Sequence, residues 1–108
     1  SASERIAKMT AKRLFVVIRR RGEAWADSLP IEGQEDWEAH ASFMNSLEND
    51  RLVILGGPLE GTPDVLLVVR ARTEEQILAR LCADPWSRND LLRVSRISPW
   101  TLRLGSLG

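Results

Sequence analysis

Apolar residues follow two rhythms along this chain, and the changes between them mark out its elements. In KRLFVVIRRRG (12–22), Leu14 to Ile18 form a compact β-branched run that predicts a first strand, closed by Gly22. From 34 to 50 the rhythm is helical. At ~100° per residue, Trp37, His40, Ala41, Phe43, Met44 and Leu47 fall within an arc of about 160°, with Glu38, Ser42, Asn45 and Asn49 opposite. Leu52 to Leu55 predict a second strand, followed by a glycine pair and Pro58 as a turn. DVLLVVRA (64–71) is apolar on both alternating sets, which predicts a central third strand paired with the second as a hairpin. A second helix is expected over 73–84, opened by a Thr73/Gln76 capping box. Its apolar face is read as Ile77, Leu78, Leu81 and Cys82, which makes Cys82 a buried small hydrophobe. The last extended segment, 91–104, is interrupted by Pro99 and reads as an edge strand or two short ones.

The resulting order is β-α-β-β-α-β. It predicts an α+β, ferredoxin-like domain: a four-stranded antiparallel sheet with two helices on one face. The other face of the sheet is left apolar. The expected remedy is a homodimer, or a higher even oligomer, in which two sheets face each other and close a barrel. The domain is expected over 12–104, between tails at 1–11 and 105–108. SASERIAKMT is polar and has no apolar core of a signal peptide; Met9 is an alternative start. The connection 23–33 is long, with Pro30 and Gly33 in it. Trp25 on that loop either covers a cavity or plugs the edge of the core.

Lys+Arg and Asp+Glu both number 15, so the net charge is zero. Nucleic-acid and membrane-surface binders need a basic excess, so neither partner is expected; a small-molecule ligand or substrate is. RNA-recognition modules of this plan also need aromatics on the central strands, and strand 3 has none. With Cys82 the only cysteine, no intrachain disulfide is possible, which fits a cytoplasmic setting. No zinc cluster, phosphate-cradling glycine loop or haem motif is present, so no metal and no cofactor is expected.

Two residues stand out chemically. His40, the only histidine, lies in the middle of an apolar helix face. Asp84 falls where the second helix should end, at the negative end of its dipole, and Pro85 pins its backbone in an extended conformation. Their bland readings are a core histidine and a helix stop. Of the three arginines at 19–21, most read as solvated strand ends, while Arg19 is a candidate to face a pocket and meet an anionic substrate. Gly57 and Pro58 read first as turn formers, and Gly57 also as a place where a ligand approaches the backbone.

Four local patterns, in order, resemble the YCII-like family of small dimeric α+β barrel proteins. They are the helix-1 histidine in WEAHASFMNSL, GGPLEG after strand 2, ADPW after helix 2, and ISPW near the C-terminus. The resemblance spans about residues 12–104; the long acidic loop 23–36 departs from it. Relatives of that family include muconolactone isomerase-like enzymes and a dehydrochlorinase. The resemblance implies a His–Asp pair, here His40 and Asp84, as the catalytic centre; Arg19, Gly57, Pro58 and Trp86 are the candidates to bind the substrate. A pair of this kind without a nucleophile suits cofactor-free general acid–base chemistry on a small cyclic or carbonyl compound: isomerisation, lactone chemistry or halide elimination. The alternative function is a non-catalytic dimeric module that binds a small ligand or assists another protein.

Overall fold

The computed structural model describes residues 1–4 and 11–107; of the expected N-terminal tail, residues 5–10 lie outside the described residues. The elements are β1 (Arg13–Arg21), a 3-10 turn (Ile31–Gly33), α1 (Trp37–Asn49), β2 (Val53–Pro58), β3 (Asp64–Ala71), α2 (Glu74–Leu81), a short α3 (Pro85–Arg88) and β4 (Leu92–Pro99). The strands form one antiparallel sheet in the order β2-β3-β1-β4. This is the ferredoxin-like plan expected from the sequence, with β3 central and β4 a single edge strand ending at Pro99.

Strand parity decides what is inside. Phe15, Val17 and Arg19 are buried along β1, facing Val69 and Leu67 of β3 on the same side. Leu47 of α1 and Ile77 and Leu81 of α2 complete this core. Each of the apolar side chains contributes about 1.5–3 kcal/mol when removed from water. Val16, Ile18, Leu66 and Val68 occupy the other sheet face as the cross-strand pairs Val16↔Val68 and Ile18↔Leu66. Among the described residues, no helix is long and apolar enough to cross a membrane.

Helix ends differ from the expected ones, each for a local reason. α1 begins at Trp37 rather than 34 because Gln34 is used elsewhere. Its buried carboxamide accepts from Ala26 N–H at 2.9 Å and donates to the carbonyls of Ala26 (2.7 Å) and Leu29 (3.1 Å), clasping the loop before the helix. α1 ends in a Schellman motif. Arg51 takes φ 62°, and Leu52 N–H returns to the Leu47 carbonyl at 3.0 Å. Thr73 caps α2 by accepting from Gln76 N–H at 3.1 Å, as expected. Trp25 is half-buried and packs edge-on against Trp86, with ring centroids 5.4 Å apart, beside the small second core of Trp86, Leu91 and Leu92.

Cys82 overturns one expectation. It is exposed, not buried. α2 stops at Leu81, and only the Ile77/Leu81 stripe faces the sheet; Leu78, one residue round the helix, is 45% exposed and Cys82 follows it outward. Its thiol donates to the Ala79 carbonyl at 3.0 Å. Cys82 should therefore react with a thiol reagent in the native protein as fast as it does in urea. A rate suppressed by orders of magnitude in the native state would contradict this placement.

The glycine pair also differs from expectation. Gly56, Gly57 and Pro58 continue β2, opposite Leu67, Leu66 and Val65, instead of forming a turn. An irregularity between Val53 and Leu55 makes this possible. Val53 faces Val69 but Leu55 faces Val68, so Ile54 is an inserted residue.

Candidate active site

Asp84 is not at the unfavourable end of a helix. The chain leaves α2, turns, and Asp84 becomes the N-cap of α3, with Pro85 at the first helical position. Its backbone is extended (φ −65°, ψ 130°), as the following proline requires. The carboxylate is fully buried and surrounded by donors. Oδ1 accepts from the Trp86 amide at 3.0 Å, and Oδ2 accepts from Arg19 Nη1 at 2.8 Å. His40 Nδ1 stands 2.9 Å from both oxygens. Burial, the largest single influence, pushes this carboxyl upward. The bonds from His40 and Trp86 and the charges of Arg19 and His40 together outweigh it and hold Asp84 below the usual carboxylate range.

Arg19 reaches this cluster from β1 because it continues the buried Phe15–Val17 set. It is 1% exposed; Nη1 is spent on Asp84 and Nη2 donates to Ser87 Oγ at 2.7 Å, while Nε is buried with no hydrogen-bond partner. His40 comes from the first turns of α1. An ionised carboxylate only accepts, so Nδ1 carries a proton toward Asp84. The imidazole lies flat against the Trp86 indole, centroids 3.7 Å apart and planes 5° apart.

His40 borders a cavity of about 350 Å³ between α1 and the β2–β3 edge. Trp37, Met44, Val65 and Leu67 give it apolar walls, and Asn45 and Glu48 are its further polar side chains on α1. Gly57 and Pro58 border it too, as does Trp86. A smaller cavity of about 180 Å³ shares Ile31, Pro58, Val65, Trp86 and Leu92 with it and extends to Trp25 and Arg21.

No family model matches the chain, and no curated protein matches it. Among solved structures it is similar to 5-chloro-2-hydroxyhydroquinone dehydrochlorinase from Burkholderia phenoliruptrix AC1100, solved in complex with 2,5-dihydroxybenzoquinone. The TM-score is 0.57 at 19% identity, over 85% of this chain and 95% of that one. The two chains share a fold. At this identity the likeness goes no further than architecture.

All the site residues singled out in the sequence border one region. His40 and Asp84 touch directly, with no water or partner subunit needed between them. Arg19 and Trp86 contact the pair, and Gly57 and Pro58 lie across the cavity. Two residues were not foreseen. Ser87 lies within the four-residue α3, and nothing in its spacing points to Arg19. Gly56 was read only as part of a turn. A Cβ there would sit 2.7 Å from Leu67 Cδ2 on the inner face, whereas one at Gly57 meets nothing within 4 Å. Gly56→Val should therefore narrow the cavity and weaken binding of any small aromatic probe at least tenfold, while Gly57→Ala leaves binding unchanged. Titration of both variants with one probe checks this, and equal affinities would contradict the assignment.

Proposed function

We propose that this protein is a cofactor-independent acid–base enzyme acting on a small cyclic or carbonyl-bearing compound, by isomerisation, lactone chemistry or elimination of halide. The observation that carries the reading is His40 Nδ1 set 2.9 Å from both oxygens of a fully buried carboxylate, on the wall of a cavity of about 350 Å³. In this reading His40 Nε2 removes a proton from an acidic C–H or O–H of the substrate. The imidazolium so formed is balanced by Asp84, and Nε2–H returns the proton to another atom, or the substrate anion expels its leaving group. Arg19 acts through Asp84, keeping it ionised, and the Gly57–Pro58 backbone and Trp86 bound the substrate space. Covalent catalysis is not invoked. The Ser87 hydroxyl is engaged by Arg19, and Cys82 is exposed away from the pair.

The motif resemblance to the YCII-like family supports this reading. So does the fold shared with a dehydrochlorinase whose structure holds a dihydroxybenzoquinone. The test is solvent-deuterium exchange, followed by NMR, into a panel of cyclic enones, lactones and chlorinated hydroxyquinones, with halide release measured in parallel. Exchange or release that depends on His40 is expected. Ligand binding without either, across the panel, would leave the non-catalytic binding module.

We place this chemistry in a homodimer. The outer face pairs Val16↔Val68 and Ile18↔Leu66 are apolar; Val16, Ile18 and Leu66 stay half-exposed, and a second sheet would cover them. Light scattering at micromolar concentration should give twice the 12.2 kDa chain mass or a higher even multiple. A clean 12.2 kDa species would remove the dimer.

A further inference from the structure

Trp86 borders both cavities, yet it is only 1% exposed, and each of its binding features is already engaged within the protein. Its amide donates to Asp84 Oδ1 at 3.0 Å. Its indole N–H donates to the Glu35 carbonyl at 2.6 Å. One ring face covers His40, and Trp25 meets the ring edge-on, 5.4 Å away and 86° inclined. Little of it is left for a ligand to touch.

We propose that Trp86 is a positioning residue for His40: its indole face fixes the plane of the imidazole, so that Nδ1 stays on Asp84 while Nε2 stays on the cavity. The inference rests on the acid–base reading of His40. The carboxylate bond determines which ring edge faces Asp84, but leaves the imidazole free to tilt about the line of that bond. Tilting carries Nε2 away from the cavity wall. A parallel stack 3.7 Å deep removes that freedom, and such aromatic contacts contribute about 0.5–1.5 kcal/mol beyond their buried area. The Glu35 bond prevents the indole from swinging aside. Glu35 adjoins Gln34, whose carboxamide clasps the loop back to Ala26. The order of that loop therefore reaches the imidazole through a single ring. The charged groups around the imidazole come from three elements: Asp84 at the start of α3, Arg19 behind it on β1, and Glu48 along α1 at the same cavity.

Because His40 is the only histidine, protein labelled with ¹³C,¹⁵N-histidine gives one imidazole in an NMR spectrum. In the wild type its C–H protons should be displaced upfield by the indole ring current, and its nitrogens should report a single Nδ1–H tautomer. Trp86→Phe keeps an aromatic face and should keep that tautomer. Trp86→Leu has apolar bulk without a face; it should keep the Nδ1–H tautomer, which the Asp84 bond sets, but lower the ¹³C order parameter of the imidazole Cε1–H bond, which Trp86→Phe leaves unchanged. A purely structural role for Trp86 would change stability and leave the order of the ring alone, so an unchanged imidazole order parameter in Trp86→Leu overturns the proposal. Wild-type protein alone also decides the matter, since imidazole protons without upfield displacement exclude the stack even if the leucine variant does not fold. These readouts need no substrate. A Trp86-dependent ring order with no exchange on any panel compound would uphold the positioning and remove the acid–base chemistry.

Discussion

Asp84→Asn is expected to lower folding stability by about 3–5 kcal/mol, the usual cost of removing one partner of a buried ion pair. The reason is Arg19. At 1% exposure its guanidinium has Asp84 as its ionic partner, and its Nε already lacks a hydrogen bond. Asparagine keeps an oxygen that accepts from the Trp86 amide, so the cap of α3 survives and the loss reports the charge. Asp84→Ala removes the cap as well and should cost about 0.5–2 kcal/mol more. Urea denaturation measures both as shifts in midpoint at constant slope. Against a typical total of about 5–15 kcal/mol, either variant is close to the limit of folding. The acid limb gives an independent check. The Asp84 carboxyl is held below its ordinary value in the folded state. Its contribution is therefore fully present above the unfolded value near ~3.9 and is lost as pH falls through the lower folded value. Wild-type stability should drop in that acid window more steeply than that of Asp84→Asn. Parallel acid limbs would mean that the carboxylate contributes nothing specific.

His40→Ala is expected to lower turnover by about 10²–10⁴-fold, the range typical for a positioned general acid–base group. Removing the imidazole takes one donor from Asp84 and leaves two. Arg19 at 2.8 Å and the Trp86 amide at 3.0 Å remain. The variant should therefore fold and retain ligand affinity within a few fold, and its loss should appear in kcat. Asp84→Asn should lose activity of similar size. A double variant should be little worse than the worse single one, because the two side chains act as a unit. Additive losses in kcat would separate them. A His40→Ala enzyme with wild-type kcat would end the acid–base reading.

Much of this arrangement was legible in the chain. The β-α-β-β-α-β order followed from periodicity, and the parity of Phe15, Val17 and Arg19 already put an arginine on a buried stripe. Pro99 left 91–104 as an edge strand or two short ones; it is a single edge strand, with a register shift opposite Ile18 and Arg19. Other features depend on partners distant in sequence. The direction of Asp84 was misread because a four-residue helix after Pro85 carries too little pattern to separate from the end of α2, so a favourable cap looked like an unfavourable terminus. Cys82 was misplaced by one helical step for the same reason. Gln34 extended the helical rhythm on paper; only its bonds to Ala26 and Leu29 assign it to the loop.

The inserted Ile54 also governs what a change in chain length would do. Loss of Ile54 would leave Leu55 opposite Val68 and Gly56 opposite Leu67, so the strand would become regular and the cavity would persist. Loss of Gly56 would make the strand equally regular but bring Leu55 opposite Leu67, placing a leucine side chain in the substrate space. Both shortened chains keep the ladder; uptake of a small aromatic dye would tell them apart. Dropping the single codon of Gly56 would therefore fill the chamber, and dropping that of Ile54 would spare it, with neither the His40–Asp84 pair nor the core touched.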